Sequence, residues 1–72
     1  MPIAVLALTY SEFVRYRAEH PGKDLISVIS PDDVYKCRGL ELDDIETVGN
    51  AFRERRIRDI YRQLRPLVRR AS

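Results

Sequence analysis

The stretch PIAVLALTYSE, residues 2–12, decides the fold. A continuous apolar run meets a helix-start signal with nothing between them. A short apolar run without polar alternation, bounded by a turn signal, reads as a strand buried on both faces, as in a parallel sheet covered by helices. Thr9 stands at the N-cap position and Glu12, three residues on, completes a capping box. A helix therefore follows at once, with Tyr10, Phe13 and Val14 on one side and Arg17 and Ala18 near the next turn. His20, Pro21 and Gly22 stop it.

The same unit recurs twice. DLISVIS, residues 24–30, is a second buried strand carrying Leu25, Ile26, Val28 and Ile29. SPDD then opens a short helix, with Ser30 as N-cap, Pro31 at the first helical position and Asp33 at the capping-box position. Val34 and Cys37 face inward, and Gly39 ends the helix. DDIETVGN, residues 43–50, is a third strand centred on Ile45 to Val48, weakened by Glu46, with Gly49 and Asn50 as its exit. A last helix runs from about Phe52 to about Arg70. The order β-α-β-α-β-α implies a three-stranded parallel sheet with right-handed crossovers and helices packed on it. The expectation is one α/β domain over residues 1–72, ending in a long amphipathic helix.

Size and composition narrow the function classes. A chain of 72 residues buries only about 60% of the surface its unfolded form exposes, so it is marginal alone. Small domains add disulfides, a metal or a partner subunit. Cys37 and His20 are the only residues of their types, which excludes an internal disulfide and a Cys/His zinc site. Self-association remains as the staple. The apolar N-terminus lacks the basic flank and cleavage site of a signal peptide and falls well short of the roughly 20 apolar residues that span a bilayer. The lone cysteine suits a reducing compartment. The expectation is a soluble cytoplasmic protein with no membrane partner.

The terminal helix has two faces. Stepping 100° per residue from Ile57, the residues Ile60, Tyr61, Leu64, Leu67, Val68 and Ala71 fall within about 80° of it. Arg55, Arg58, Arg62, Arg65 and Arg69 form a second stripe on the flank. Pro66 lies near the back and removes a donor, so a kink, or a stop followed by a short last turn, is expected there. Charge is split: residues 1–49 carry five basic and nine acidic side chains, and residues 50–72 carry eight and two. A three-stranded parallel sheet also leaves two open edges. Together these features predict a homodimer whose interface is Ile57, Ile60, Leu64, Leu67 and Val68, with Arg62, Arg65 and Arg69 meeting Glu41, Asp43 or Asp44 across it. A host protein is a further possible partner. Nucleic acid held by the arginine stripe is the alternative, opposed by the acidic body and by the near absence of interleaved aromatics.

Catalytic signals are weak. Ligands of open parallel sheets sit beyond the carboxyl ends of the strands, here Thr9 and Tyr10, then Ser30, Asp32 and Asp33, then Gly49 and Asn50. Asp32 and Asp33 could ligate a metal for phosphoryl transfer, but capping explains Asp33, and the positive helix end explains Asp32. The turn after the first strand contains no glycine, which argues against a nucleotide phosphate site. Cys37 reads as a small buried hydrophobe and His20 as a helix-end residue. No catalytic, cofactor-binding or metal residue is assigned.

CRGLELDDIETVGNAFRERR, residues 37–56, resembles the segment around the Walker B strand of helicase-type P-loop NTPases. The whole chain resembles small α/β accessory proteins of actinobacterial phages that keep a Rossmann-like pattern and lack the phosphate loop. The strand ends in Gly49 and Asn50 where a Walker B strand ends in Asp-Glu, and no Gly-Lys-Ser/Thr occurs. The resemblance therefore implies a non-enzymatic accessory protein that binds itself or a host protein, since phosphoryl transfer would lack its lysine and metal ligands.

Overall fold

The computed structural model describes residues 2–69. Three four-residue strands, β1 (Ile3–Leu6), β2 (Leu25–Val28) and β3 (Asp44–Thr47), form one parallel sheet in the order β2-β1-β3. The apolar run that opens the chain is thus the central strand, and Ala4 to Ala7 are fully buried. Ile3 pairs with Leu25 on one side and with Asp44 on the other. Helix α1 (Tyr10–Glu19) follows β1, and the capping reading holds in its first half: the Glu12 amide donates to Thr9 Oγ1 at 3.3 Å.

Side chains alternate across the sheet and feed two clusters. Ala4, Leu6 and Val28 pack with Val34, Cys37, Leu42, Ala51, Ile57, Ile60 and Leu64. Val5 and Ala7 pack with Phe13 of α1. One face therefore lies under two elements and the other under α1 alone.

The segment between β2 and β3 departs from expectation. It is a seven-residue 3-10 helix, Pro31–Cys37, rather than an α-helix. This chain must cross central β1 and return along the strands. At about 2.0 Å per residue against 1.5 Å, seven residues cover about 14 Å, the length of a four-residue strand at about 3.3 Å per residue. The 3.0-residue period still turns Val34 and Cys37 inward together.

The C-terminal helix also departs. The expected helix over 52–70 is replaced by a 3-10 turn Ala51–Arg53, then α2 (Arg55–Leu64), then a 3-10 turn Arg65–Leu67. Glu54, extended at φ −77°, ψ 130°, separates the first two. Pro66 has no amide to donate and would clash with the Arg62 carbonyl. The helix stops ahead of it, tightens and gives way to an extended Val68. Val68 then bridges Leu42: the Leu42 amide donates to the Leu67 carbonyl and the Arg69 amide to the Leu42 carbonyl, both at 2.8 Å. The tail folds back on its own sheet. The parts of the predicted helix and stripe at Arg70 and Ala71 lie outside the described residues.

Both sheet edges carry local guards. On β2, Lys36 Nζ donates to the Ser27 carbonyl at 3.4 Å and pairs with Asp33 at 3.2 Å, while Asp33 Oδ2 accepts the Ile29 amide at 2.9 Å. On β3, the Val48 amide points to β1, donating to the Leu6 carbonyl. By alternation the Ile45 amide points outward, where Asp44 Oδ1 accepts it at 2.8 Å. Charged side chains on edge strands block further pairing. Among the described residues no helix is long and apolar enough to cross a membrane.

Candidate functional site

The residues that sequence singles out as possible chemistry have structural work. Asp33 accepts the Ile29 amide and, at 3.2 Å, the Ser30 amide. Burial alone would raise its carboxyl, but these two amides and the Lys36 ammonium outweigh it and hold the pKa below the ordinary carboxylate value. Asp32 is exposed beside it. Cys37 is fully buried, and that burial pushes its thiol up, against a smaller opposing effect of Lys36. His20 stacks on Tyr16 with ring centroids 4.0 Å apart, and its Nδ1 donates to the Tyr16 carbonyl at 2.8 Å. Cys37 belongs to the α2-side cluster and His20 ends α1 on the other face. They do not form a nucleophile pair.

The predicted interface residues are mostly consumed inside the chain. Ile57, Ile60 and Leu64 are fully buried in the core of their own molecule. Leu67 and Val68 are half-buried and packed against that core. The expected dimer interface therefore loses Ile57, Ile60 and Leu64, which the 3-10 crossover and Leu42 cover within one chain. The charges expected to meet across a dimer are also neighbours within one chain, since Arg65 and Asp44 line one cleft with Ile45, Tyr61 and Val68.

Arg55, Arg58 and Arg62 are exposed on α2, on the flank of its buried stripe, and Arg65 and Arg69 are exposed beyond its end. Arg56 is spent differently: its guanidinium donates to the Leu8 carbonyl at 3.3 Å, tying α2 to the end of β1. Phe52 sets its ring edge-on to Tyr61 at 5.4 Å.

The other face carries a feature that the sequence reading missed. α1 alone covers three strands there, and it packs toward β2. Between α1 and β3 runs a trough of about 200 Å³ lined by Glu12, Arg15, Tyr16, Glu19, Val48 and Gly49. Gly49 has φ +57°, and a Cβ built on it would lie 3.7 Å from Glu12 Oε2, so the Glu12 carboxylate reaches the end of β3. Glu46 pairs in register with Val5, so it points to this face. It is half-buried. Burial raises the Tyr16 phenol, and the Glu46 and Asp44 charges push it further the same way.

Among the described residues Glu12, Glu19 and Glu46 make no ion pair, the one salt bridge there being Lys36–Asp33. Glu12 and Glu19 line the trough, and no group of three residues that could hold a metal ion gathers among the described residues. A signal for this surface does exist in the sequence. Glu46 sits out of phase with Ile45 in β3, which marks one face of that strand as incompletely covered. No protein-family model, no curated protein and no solved structure matches the chain.

Proposed function

We propose that the chain is a non-enzymatic protein–protein interaction module, acting by binding itself or another protein through the trough between α1 and β3. One observation carries this reading: Glu12 and Glu19 flank a trough floored by Tyr16 and Val48 on the sheet face that α1 alone covers, and the half-buried Glu46 of β3 points to that same face. A half-desolvated charge is costly unless paired, and an arriving cationic side chain would pair it. The apolar floor, Val48 and Tyr16, supplies contact area, while the charges set partner choice and register. The resemblance of the whole chain to small phage accessory proteins agrees with a binding role.

Nucleic acid on the arginine row is the second reading, favoured by the exposure of Arg55, Arg58 and Arg62 along α2 and of Arg65 just past its end. Amide-resolved NMR titration separates the two. An arginine-rich helical peptide is expected to shift Glu12, Tyr16, Val48 and Gly49. Absence of those shifts overturns the trough as a binding surface. Duplex DNA that shifts α2 with a salt slope of several phosphate contacts makes the second reading the better one.

A further inference from the structure

The molecule carries both halves of a matching pair of surfaces. Glu12 and Glu19 lie seven residues apart on the trough flank of α1, and Arg55 and Arg62 lie seven residues apart on the exposed face of α2. At 1.5 Å per residue each pair spans about 10.5 Å along its helix axis. Glu46 of β3 points to the same sheet face as the two glutamates, and Arg58 stands between the two arginines. Arg15 is the one cation lining the trough, against Glu12 and Glu19. Glu54 and Asp59 are the only acidic residues within residues 50–72. In a doubly wound sheet a second helix would lie where the trough is, so a helix is the shape it lacks.

These surfaces cannot meet within one chain, because α1 and α2 pack on opposite faces of the sheet. Of the interface residues predicted from sequence, Ile57, Ile60 and Leu64 have no surface left for such a contact, and Leu67 and Val68 keep only part of theirs. Resting on the reading of the trough as a binding surface, we propose that its occupant is the α2 arginine row of a second copy, with Arg55, Arg58 and Arg62 set against Glu12, Glu46 and Glu19. Such a contact is heterologous: each copy that fills a neighbour's trough leaves its own trough open on the far face. Association then runs head to tail and does not stop at a two-fold dimer. Arginine stems cover the apolar floor while their heads stay polar. Because the contact is mainly between exposed charges, it is weak and salt-sensitive.

Sedimentation velocity with charge-reversed variants tests this. The unaltered chain should sediment as a concentration-dependent series at ~20 mM salt and return to 8.4 kDa at ~300 mM, where the Debye length is about 5–6 Å. Glu12→Lys/Glu19→Lys removes the trough charge, and Arg58→Glu/Arg62→Glu removes the row; each alone should remain monomeric. Every substituted side chain lies at or near the surface, and circular dichroism verifies folding of both variants. Mixing them is decisive. One keeps a working row and the other a working trough. In the mixture the intact arginine row meets the intact trough, and the reversed, acidic row meets the reversed, basic trough, so both contacts join opposite charges and association beyond the monomer should return. A mixture in which no dimer forms, or an unaltered chain monomeric at ~1 mM and ~20 mM salt, overturns the proposal. An arginine-rich peptide that shifts the trough amides while the chain stays monomeric overturns this occupant and leaves the trough as a site for another protein.

Discussion

Asp33→Ala should cost the fold about 2 kcal/mol. The Asp33 carboxylate accepts two amides, from Ile29 and Ser30, and pairs with Lys36. Hydrogen bonds to a charged group contribute about 1.5–3 kcal/mol each when buried. The Asp33 side chain is 23% exposed, so water partly replaces each bond and each contributes about 1 kcal/mol, the ordinary net value. The Lys36 pair is more exposed and adds at most about 1 kcal/mol. For a domain of this size a loss of about 2 kcal/mol lowers the melting temperature by roughly 8–16 °C. Urea unfolding at several pH values is the assay. The folded pKa of Asp33 is depressed from its ordinary 3.8. Its contribution is therefore complete above the unfolded value and is lost as pH falls through 3.8 toward the lowered folded value. The gap between the unaltered chain and Asp33→Asn should close over that acidic window. A change below about 0.5 kcal/mol at pH 7, the size of an ordinary surface substitution, or a gap that ignores pH, would refute the assignment.

Ile60→Ala should destabilise by about 2–5 kcal/mol, because Ile60 is fully buried between α2 and the sheet; a loss under 1 kcal/mol in the same urea assay would mean that α2 does not pack there. Glu46→Gln should lower the Tyr16 pKa toward the ordinary tyrosine value of 10.0, because one of the charges that raise it is gone; ultraviolet titration of the phenol reads this, and an unmoved Tyr16 places Glu46 elsewhere. Cys37 should react with a thiol reagent only as fast as the chain opens, because it is fully buried and its thiol is raised; prompt reaction in the native state contradicts that placement.

Much of the architecture is legible because its signals are local. The run Ile3 to Leu8, the Thr9–Glu12 cap and the Ser30–Asp33 cap each announce an element within a few residues, and alternation then implies a parallel sheet. The 3-10 geometry of Pro31–Cys37 is not local. Over seven residues the periods 3.0 and 3.6 both turn Val34 and Cys37 inward, and the choice is made by the distance the crossover must travel. The end of α2 is legible in part. Pro66 announces a stop, but the bridge from Val68 to Leu42 joins residues 26 positions apart. The apolar stripe of α2 is real, yet burial against its own core, rather than against a partner, depends on Leu42 and the crossover lying above it. The trough is the least legible feature. It exists because β1 is central and α1 leans toward β2, and neither fact is written in any one segment. Glu46 is its only mark, and in a single strand it reads as weakness rather than as an uncovered face.

Paramagnetic broadening between copies tests the central claim, that the α2 arginine row of one chain lies in the α1–β3 trough of another. A spin label on Asp59→Cys sits beside Arg55 and Arg62, while buried Cys37 stays unlabelled. The labelled chain, at natural isotope abundance, is mixed at ~20 mM salt with unlabelled-cysteine chain enriched in nitrogen-15, so that only contacts between copies are seen. The account predicts broadening of Glu12, Tyr16, Glu19, Glu46, Val48 and Gly49 that disappears at high salt. Broadening centred on Leu67 and Val68, or none at all, would contradict it.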